Sequence, residues 1–396
     1  MSNVVIIDSV RTAIGKLGGA LGNVDVDYLA ARVLDDVVKR TGISKEVVDE
    51  VIVGQAKQSA DASNLARVAA LRAGFPVEVP AYTFHRQCGS GVQAINSAAQ
   101  QIQCGLSNVI IAGGAESMST APYYIRNARF GLHSGNGLLL DPNTESQPGS
   151  QPEEYGIQTM GTTAENLAEK YKISRTEQDE FALSSQEKAK RAISSGLFEK
   201  EIVPYLVKNK KSEKVFKVDE HPRDTSLEKL VNLKPAFKEG GTVTAGNSSG
   251  RNDGAAALIL MSEEEAIRLG KKPKARIVAQ ASAGVDPKFM GIGPVPATLK
   301  AVKIAGLELK DIDVIELNEA FSAQSLAVIK ELNMDMNKIT PNGGAIALGH
   351  PIGATGAILA TKLIHDLERT GKRYGLITLC IAGGLGISTI IENTQF

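Results

Sequence analysis

Cysteine is scarce in this chain. Only Cys88, Cys104 and Cys380 occur in 396 residues, and no two of them have CxxC spacing. That pattern argues against a disulfide framework and against a structural zinc site, and it fits a reducing compartment. Net charge is lacking too, since 44 basic side chains balance 44 acidic ones. Without a field of one sign, neither a nucleic acid nor an anionic membrane is indicated as partner, and selectivity has to come from a pocket. No window approaches the ~20 apolar residues of a membrane-spanning helix. The opening MSNVVIIDSVRTAIGK has no basic n-region, and its apolar run from Val4 to Ile7 is too short for a signal peptide. Low-complexity segments are missing as well. The expectation is a soluble, cytosolic protein of two or three domains that works on small molecules.

Against these absences, one stretch stands out: PAYTFHRQCGSGVQAINSAAQQIQCG, from Pro80 to Gly105. Apolar or small residues at Val92, Ile95, Ala98, Ala99 and Ile102 recur at helical spacing, which predicts a helix with one buried face. Cys88 falls at its N-terminus, behind the small-residue turn Gly89-Ser90-Gly91. Unpaired backbone N–H groups and the helix dipole favour an anion there and lower a thiol's pKa, so Cys88 reads as a nucleophile. A buried cysteine packed like a small hydrophobe fits the same local pattern.

Strand and helix alternate along the chain. Val4 to Ile7 predicts a buried strand, Tyr28 to Thr41 a helix stopped by Gly42, Val51-Ile52-Val53 a strand, and Asn108 to Ala115 a strand ending in glycines. The alternation implies βαβ units on a mostly parallel sheet. The same order returns near the C-terminus. Leu299 to Ala305 with Gly306 answers the first helix and Gly42, and Asp313 to Glu316 answers Asp49 to Val53, which sets Asn318 opposite Gly54. Leu379 to Gly384 matches Ile110 to Gly114 almost letter for letter. GGAIALGHPIGATGAILATKLIHDL, from Gly343 to Leu367, supplies a glycine-rich turn and a helix, with His350 in the place of Cys88. Two similar α/β halves are expected, with functional residues at strand ends and helix starts.

Residues 120 to 250 break this pattern and read as an insertion. Thr162 to Lys170 and Glu177 to Ile193 are helical by period, the second with Thr176 as N-cap. The charges of Lys208 to Lys217 read as a solvated loop. The glycine clusters from Thr12 to Gly22 and from Gly240 to Gly254 have neither Walker nor Rossmann spacing, and His85, His133, His221 and His365 show no ligand spacing. Neither a nucleotide-phosphate cradle nor a metal is expected.

Four glycine-rich ends therefore converge: Cys88, Asn318 in NEAF, His350 in GHPIGATG and Cys380 in CIAGGLG. A cysteine with a histidine reads as nucleophile and base. The second thiol can serve as proton donor and acceptor for a carbon acid, and an asparagine can steady a developing oxyanion. Taken singly, each residue also fits a turn, a cap or core packing.

Together with TAGNSSGRNDGAAA (Thr244 to Ala257), AGGAESMS (Ala112 to Ser119) and VRTAIGK, these motifs resemble the thiolases along essentially the whole chain. The resemblance is nearest to the biosynthetic acetyl-CoA C-acetyltransferases. It implies an α/β thiolase fold: duplicated βαβ-rich halves layered α/β/α/β/α, with a loop domain inserted at 121–245. The first half would comprise 1–120 and 246–270, the second 271–396. It also implies that Cys88 carries the acetyl group, that His350 activates it, and that Cys380 takes the α-proton of a second acetyl-CoA. One oxyanion site would use His350 with a water on Asn318, the other the backbone N–H groups of Cys88 and Ala382. Coenzyme A, a substrate and not a resident cofactor, would lie against Met160, Arg223, Leu233, Phe237, Ala245, Ser249, Met290, Ala320 and Phe321. The partners implied are acyl-CoA esters and three further copies of the chain, in a cytosolic homotetramer.

Three positions depart from the family pattern. Ala382 replaces a usual glycine, Thr159 stands where a histidine is usual in the loop domain, and Phe84-His85-Arg86-Gln87 leads into CGSG. These keep open a degradative 3-ketoacyl-CoA thiolase for longer chains and a non-catalytic binder of CoA esters. A decarboxylating ketosynthase would carry histidine or asparagine at position 380.

Overall fold

The computed structural model describes residues 2–209 and 212–396. Its frame consists of β1 (Val4–Thr12), β2 (Glu50–Gly54), β3 (Ala81–Phe84), β4 (Val109–Ser117), β5 (Asn252–Ser262), β6 (Ala275–Gly284), β7 (Val314–Leu317), β8 (Tyr374–Ile381) and β9 (Leu385–Asn393). The longer helices are α1 (Val26–Thr41), α2 (Leu65–Arg72), α3 (Ser90–Gln103), α4 (Met160–Tyr171), α5 (Arg175–Ser194), α6 (Pro294–Ala305), α7 (Ser322–Leu332) and α8 (Thr355–Thr370). β4 and β5 are buried along their whole length, because helices cover both faces. Such strands read as continuous apolar runs and not as alternating ones.

The hydrogen-bonded order is β3-β2-β4-β5-β1 in the first half and β7-β8-β9-β6 in the second. A bridge between Ile315 of β7 and Ile339 stands where the second half would have its fifth strand. The repeat extends to individual hydrogen bonds. Asp49 accepts from the backbone N–H groups of Asn108 and Val109 at 2.6 and 2.9 Å, and Asp313 accepts from those of Arg373 and Tyr374 at 3.1 and 2.9 Å. α1 and α6 both end on a left-handed glycine, Gly42 with φ 62° and Gly306 with φ 67°, where a side chain would be strained.

Several sequence expectations are corrected. The sheet is mixed: β2 runs parallel to β3 and β4, and β7 to β8, but β5 and β9 are antiparallel to both their neighbours. For β9 the cause is a tight turn through Gly383 and Gly384, with φ 89° and 83°, which leaves no room for a crossover helix. The letter match between Ile110–Gly114 and Leu379–Gly384 is out of register. Counted from the two aspartate clasps, Gly113 corresponds to Thr378, and Gly383 lies beyond it in the turn. Gly113 itself is inside β4, where a Cβ would meet Ala256 O at 2.1 Å.

Within the excursion between β4 and β5, α5 is capped by Ser174 in a capping box with Glu177, not by Thr176. The charged run from Lys208 belongs to an antiparallel hairpin of Tyr205–Asn209 with Ser212–Phe216. Lys210 and Lys211 lie outside the described residues.

Helices α3 and α8 pack against each other between the two half-sheets, and α8 touches β1 and β5 as well as β7 and β8. Their contact is backbone to backbone. A Cβ on Gly356 would lie 2.3 Å from Val92 N, and one on Gly91 would lie 2.9 Å from Ala357 N. The half-sheets meet edge to edge through two antiparallel pairs, Val5 with Arg276 and Ile6 with Ala275. Buried Arg11 of β1 fastens the excursion to this frame, bonding Glu201 at 2.7 Å and Asp219 at 2.8 and 2.9 Å. Among the described residues no helix is long and apolar enough to cross a membrane.

Candidate active site

Cys88 lies one residue ahead of Gly89, the N-cap of α3. Its turn is locked from both sides. Ser90 Oγ donates to Gln87 O at 2.6 Å and accepts from Arg86 N at 2.8 Å, while Gln87 has φ 45°, a conformation that side-chain-bearing residues rarely adopt. Such strain persists where the surroundings over-determine it, commonly beside reacting groups.

His350 sits in the loop that leads into α8. Its backbone N donates to Asn252 Oδ1 at 2.9 Å, and Asn252 Nδ2 donates to Gly15 O at 2.9 Å, so β5 fixes the loop. The preceding Gly349 has φ 106°, and a Cβ there would strike the Asn252 amide at 2.4 Å. Nδ1 of His350 lies 2.6 Å from Thr355 Oγ1, whose hydroxyl donates to Pro351 O at 2.9 Å. With the hydroxyl proton so engaged, Nδ1 is the donor and Nε2 is left as the proton acceptor. By the helix N-caps, Gly89 and Ala354, it is Gly353 that mirrors Cys88. His350 stands three residues ahead of the position assigned from the sequence.

Cys88, His350, Cys380 and Ala382 all open onto one cleft of about 870 Å³. The Ala382 backbone N–H favours the thiolate form of Cys88. Six of the residues expected to touch coenzyme A, namely Met160, Phe237, Ser249, Met290, Ala320 and Phe321, also line it. The rings of Phe237 and Phe321 meet edge to face at 5.9 Å. Ser249 N donates to Ala320 O at 3.0 Å, joining the GNSSG and NEAF segments into one wall. Arg223, Leu233 and Ala245 lie outside this cleft, and Arg223 Nη2 donates to Ala245 O at 3.3 Å. Asn318 is fully buried behind Ala320 and does not line the cleft. Its side-chain Nδ2 and Oδ1 have no partner among the described residues. An amide left so costs roughly 1–3 kcal/mol and is expected mainly where function requires it. Thr159 does not line the cleft either; its hydroxyl caps α4 by accepting from Thr162 N at 3.2 Å.

The electrostatics reverse one expectation. Burial pushes the Cys88 thiol up to about 11, against the opposing pull of the Ala382 N–H and Lys57. A helix N-terminus is worth about 0.3–1 kcal/mol in usual settings, less than one pKa unit, whereas desolvation can move a buried group by several units. Burial wins. It also pushes the Cys380 thiol up, further than that of Cys88, and drives His350 down to about 4. At neutral pH the resting site holds two thiols and a neutral imidazole. Alkylation of Cys88 by iodoacetamide is accordingly expected to accelerate about tenfold per pH unit from pH 7 to pH 10. Peptide mapping separates Cys88 from exposed Cys104, and a plateau below pH 9 would contradict this assignment.

Sequence reasoning missed several participants. Glu116, fully buried at the end of β4, accepts from the backbone N–H groups of Ala56 at 3.0 Å, Lys57 at 3.1 Å and Gly353 at 2.8 Å. It thereby clamps the loop after β2 to the start of α8. An acid directly after Gly113-Gly114-Ala115 on a buried strand was the available signal. Lys57, Asn252 and Thr355 gave none, since their roles depend on contacts between distant parts of the chain.

Matches to known proteins agree with this frame. The description "Thiolase, N-terminal domain" matches residues 4–264 and "Thiolase, C-terminal domain" matches residues 271–393. The chain belongs to the thiolase family. An acetyl-CoA acetyltransferase of Syntrophomonas wolfei subsp. wolfei is 47% identical over 393 residues, covering 98% of each chain. The crystal structure of the Bacillus anthracis acetyl-CoA acetyltransferase superposes with a TM-score of 0.97 at 51% identity, over 99% of both chains. That of human mitochondrial 3-ketoacyl-CoA thiolase gives 0.96 at 45% identity, again over 99% of both.

Proposed function

We propose that the protein is an acetyl-CoA C-acetyltransferase, which condenses two acetyl-CoA into acetoacetyl-CoA and coenzyme A and, in reverse, thiolyses acetoacetyl-CoA. The observation that carries the reading is the meeting of Cys88, His350 and Cys380 on one cleft in a chain of this family. Full-length relatives named acetyl-CoA acetyltransferase support it.

The neutral resting site suits a cycle in which no thiolate is stored. Nε2 of His350 takes the Cys88 proton as Sγ attacks the thioester carbonyl. The departing coenzyme A thiolate takes its proton from Cys380. The Cys380 thiolate so formed then removes the α-proton of the second acetyl-CoA, and the carbanion attacks the acetyl group on Cys88. As that bond breaks, Sγ recovers its proton from His350. Backbone N–H groups of Cys88 and Ala382 serve one developing oxyanion, and His350 with a water held by Asn318 the other. Coenzyme A would run along the wall of Met160, Phe237 and Phe321 toward Arg223, Leu233 and Ala245. No resident cofactor enters the cycle. Cytoplasmic location and a homotetramer belong to the same reading, and exposed Tyr123, Ile125, Phe130, Leu132, Leu138 and Leu139 offer apolar surface for assembly.

Incubation with acetyl-CoA is expected to raise the intact mass by one acetyl group, mapping to Cys88. Binding without any acetyl retained would sink the reading in favour of a non-catalytic CoA-ester binder. A degradative 3-ketoacyl-CoA thiolase for longer chains is the second reading, favoured by the likeness to the human mitochondrial enzyme and by a cap, not an imidazole, at Thr159. Faster thiolysis of a longer 3-ketoacyl-CoA than of acetoacetyl-CoA would decide for it.

A further inference from the structure

The cleft lining is not all apolar. Besides Met160, Phe237 and Phe321, it includes Lys57, Gln87, Asn143, Ser146 and Ser150. Lys57 is the unexpected member of that set. It is 6% exposed, and its ammonium donates to Ser146 Oγ. No described carboxylate lies within ion-pairing distance of it. The neighbouring acids are occupied elsewhere. Glu116 holds three backbone N–H groups, and Asp141 accepts from Asn143 N at 2.9 Å and faces Arg251 at 3.7 Å.

An ammonium has three donors, and a buried one is costly unless it is paired. Here one donor is used, and the residue lines the cleft. The side chain is also not free to leave, because Glu116 pins the Lys57 backbone and the ammonium is tethered to Ser146. Burial lowers its pKa, with Glu116 and Cys88 opposing. A carboxylate arriving from the cleft would complete the pair and take further hydrogen bonds from the amides and hydroxyls around it.

We propose that Lys57 anchors the far end of acyl chains longer than acetoacetyl, so that among such 3-oxoacyl-CoA esters those whose chain ends in a carboxylate are taken in preference to those ending in a methyl. The proposal rests on the thiolase reading for its general substrate class and extends it beyond acetoacetyl-CoA. Lys57 is then a specificity residue, and the polar lining is its surroundings.

Binding tests it without turnover. In Cys88→Ala protein, adipyl-CoA and hexanoyl-CoA differ only at the chain end, and calorimetric titration gives both dissociation constants. Adipyl-CoA is expected to bind at least tenfold tighter, and Lys57→Met in the same background to remove most of that ratio, with Lys57→Arg retaining part of it. Equal binding of the two esters, or a ratio unchanged by Lys57→Met, overturns the proposal. A parallel loss for both esters leaves the ratio unchanged and therefore also counts against it. Thermal unfolding of each variant shows that it is folded. Failure of wild-type protein to acquire an acetyl group would sink the thiolase reading independently of this ratio.

Discussion

Replacing Cys380 with alanine is expected to stop condensation while leaving the first half-reaction in place. On the proposed cycle Cys88 and His350 suffice to form the acetyl-enzyme, and Cys380 only protonates the departing coenzyme A and then deprotonates the second substrate. Water can supply the first proton. His350 already holds the proton of Cys88, which leaves Cys380 as the remaining thiol or imidazole among the residues lining the cleft. A positioned acid or base contributes about 10²–10⁴-fold, so condensation and thiolysis should fall roughly a thousandfold. Intact mass after incubation with acetyl-CoA should still show one acetyl group on Cys88. Condensation retained within tenfold, or no acetyl group at all, would remove Cys380 from this role. Cys88→Ala provides the contrast, losing both the acetyl group and the turnover.

A second large effect is expected from a glycine that touches no substrate. In Gly356→Ala the new methyl would come 2.3 Å from Val92 N and 2.8 Å from Val92 Cβ, a clash that only separation of α3 and α8 relieves. Overpacking of a close contact costs about 1–3 kcal/mol, and this site belongs at the upper end because the obstacle is backbone. The same separation displaces catalysis. Gly91 stands two residues after Gly89 and packs on Gly353 O, so the Cys88 turn and the His350 loop ride on the two helices being parted. Misplacement by about 1 Å can cost a hundredfold in rate. Denaturant midpoints and acetylation rates measured together should both fall. An unchanged denaturation midpoint would show that the helices tolerate a wider spacing.

The main features of the fold were legible because they are repeated and local. Gly42 and Gly306 end equivalent helices, and Asp49 and Asp313 begin equivalent strands, so chain order alone aligned the halves. The IAGG letters misled, since a glycine within a strand and a glycine in a hairpin turn look alike in sequence and differ only in what approaches them. The start of α3 was readable from its period, yet the state of Cys88 was not. The helix dipole is a local property, whereas the burial that outweighs it comes from Ala382, the excursion and the second half of the chain. Glu116 and Lys57 escaped for the same reason. One bonds Gly353, 237 positions away, and the other meets Ser146, 89 positions away.

Two antiparallel pairs join the half-sheets and two helices cross between them, an arrangement that resembles a two-fold homodimer written into one polypeptide. Its chemistry does not share that symmetry. By the aspartate clasps, the counterpart of Asn318 is Gly54 and that of Cys380 is Ala115; by the helix caps, the counterpart of Cys88 is Gly353. These three mates are glycine or alanine, two of which cannot be enlarged in place, whereas the mate of His350 by the same caps is His85. A Cβ on Gly54 would lie 2.4 Å from Ser90 C, and one on Gly353 would lie 2.7 Å from Gln55 Cα. At Gly54 and Gly353 the inert copy of a reactive position is thus the space into which the active machinery fits.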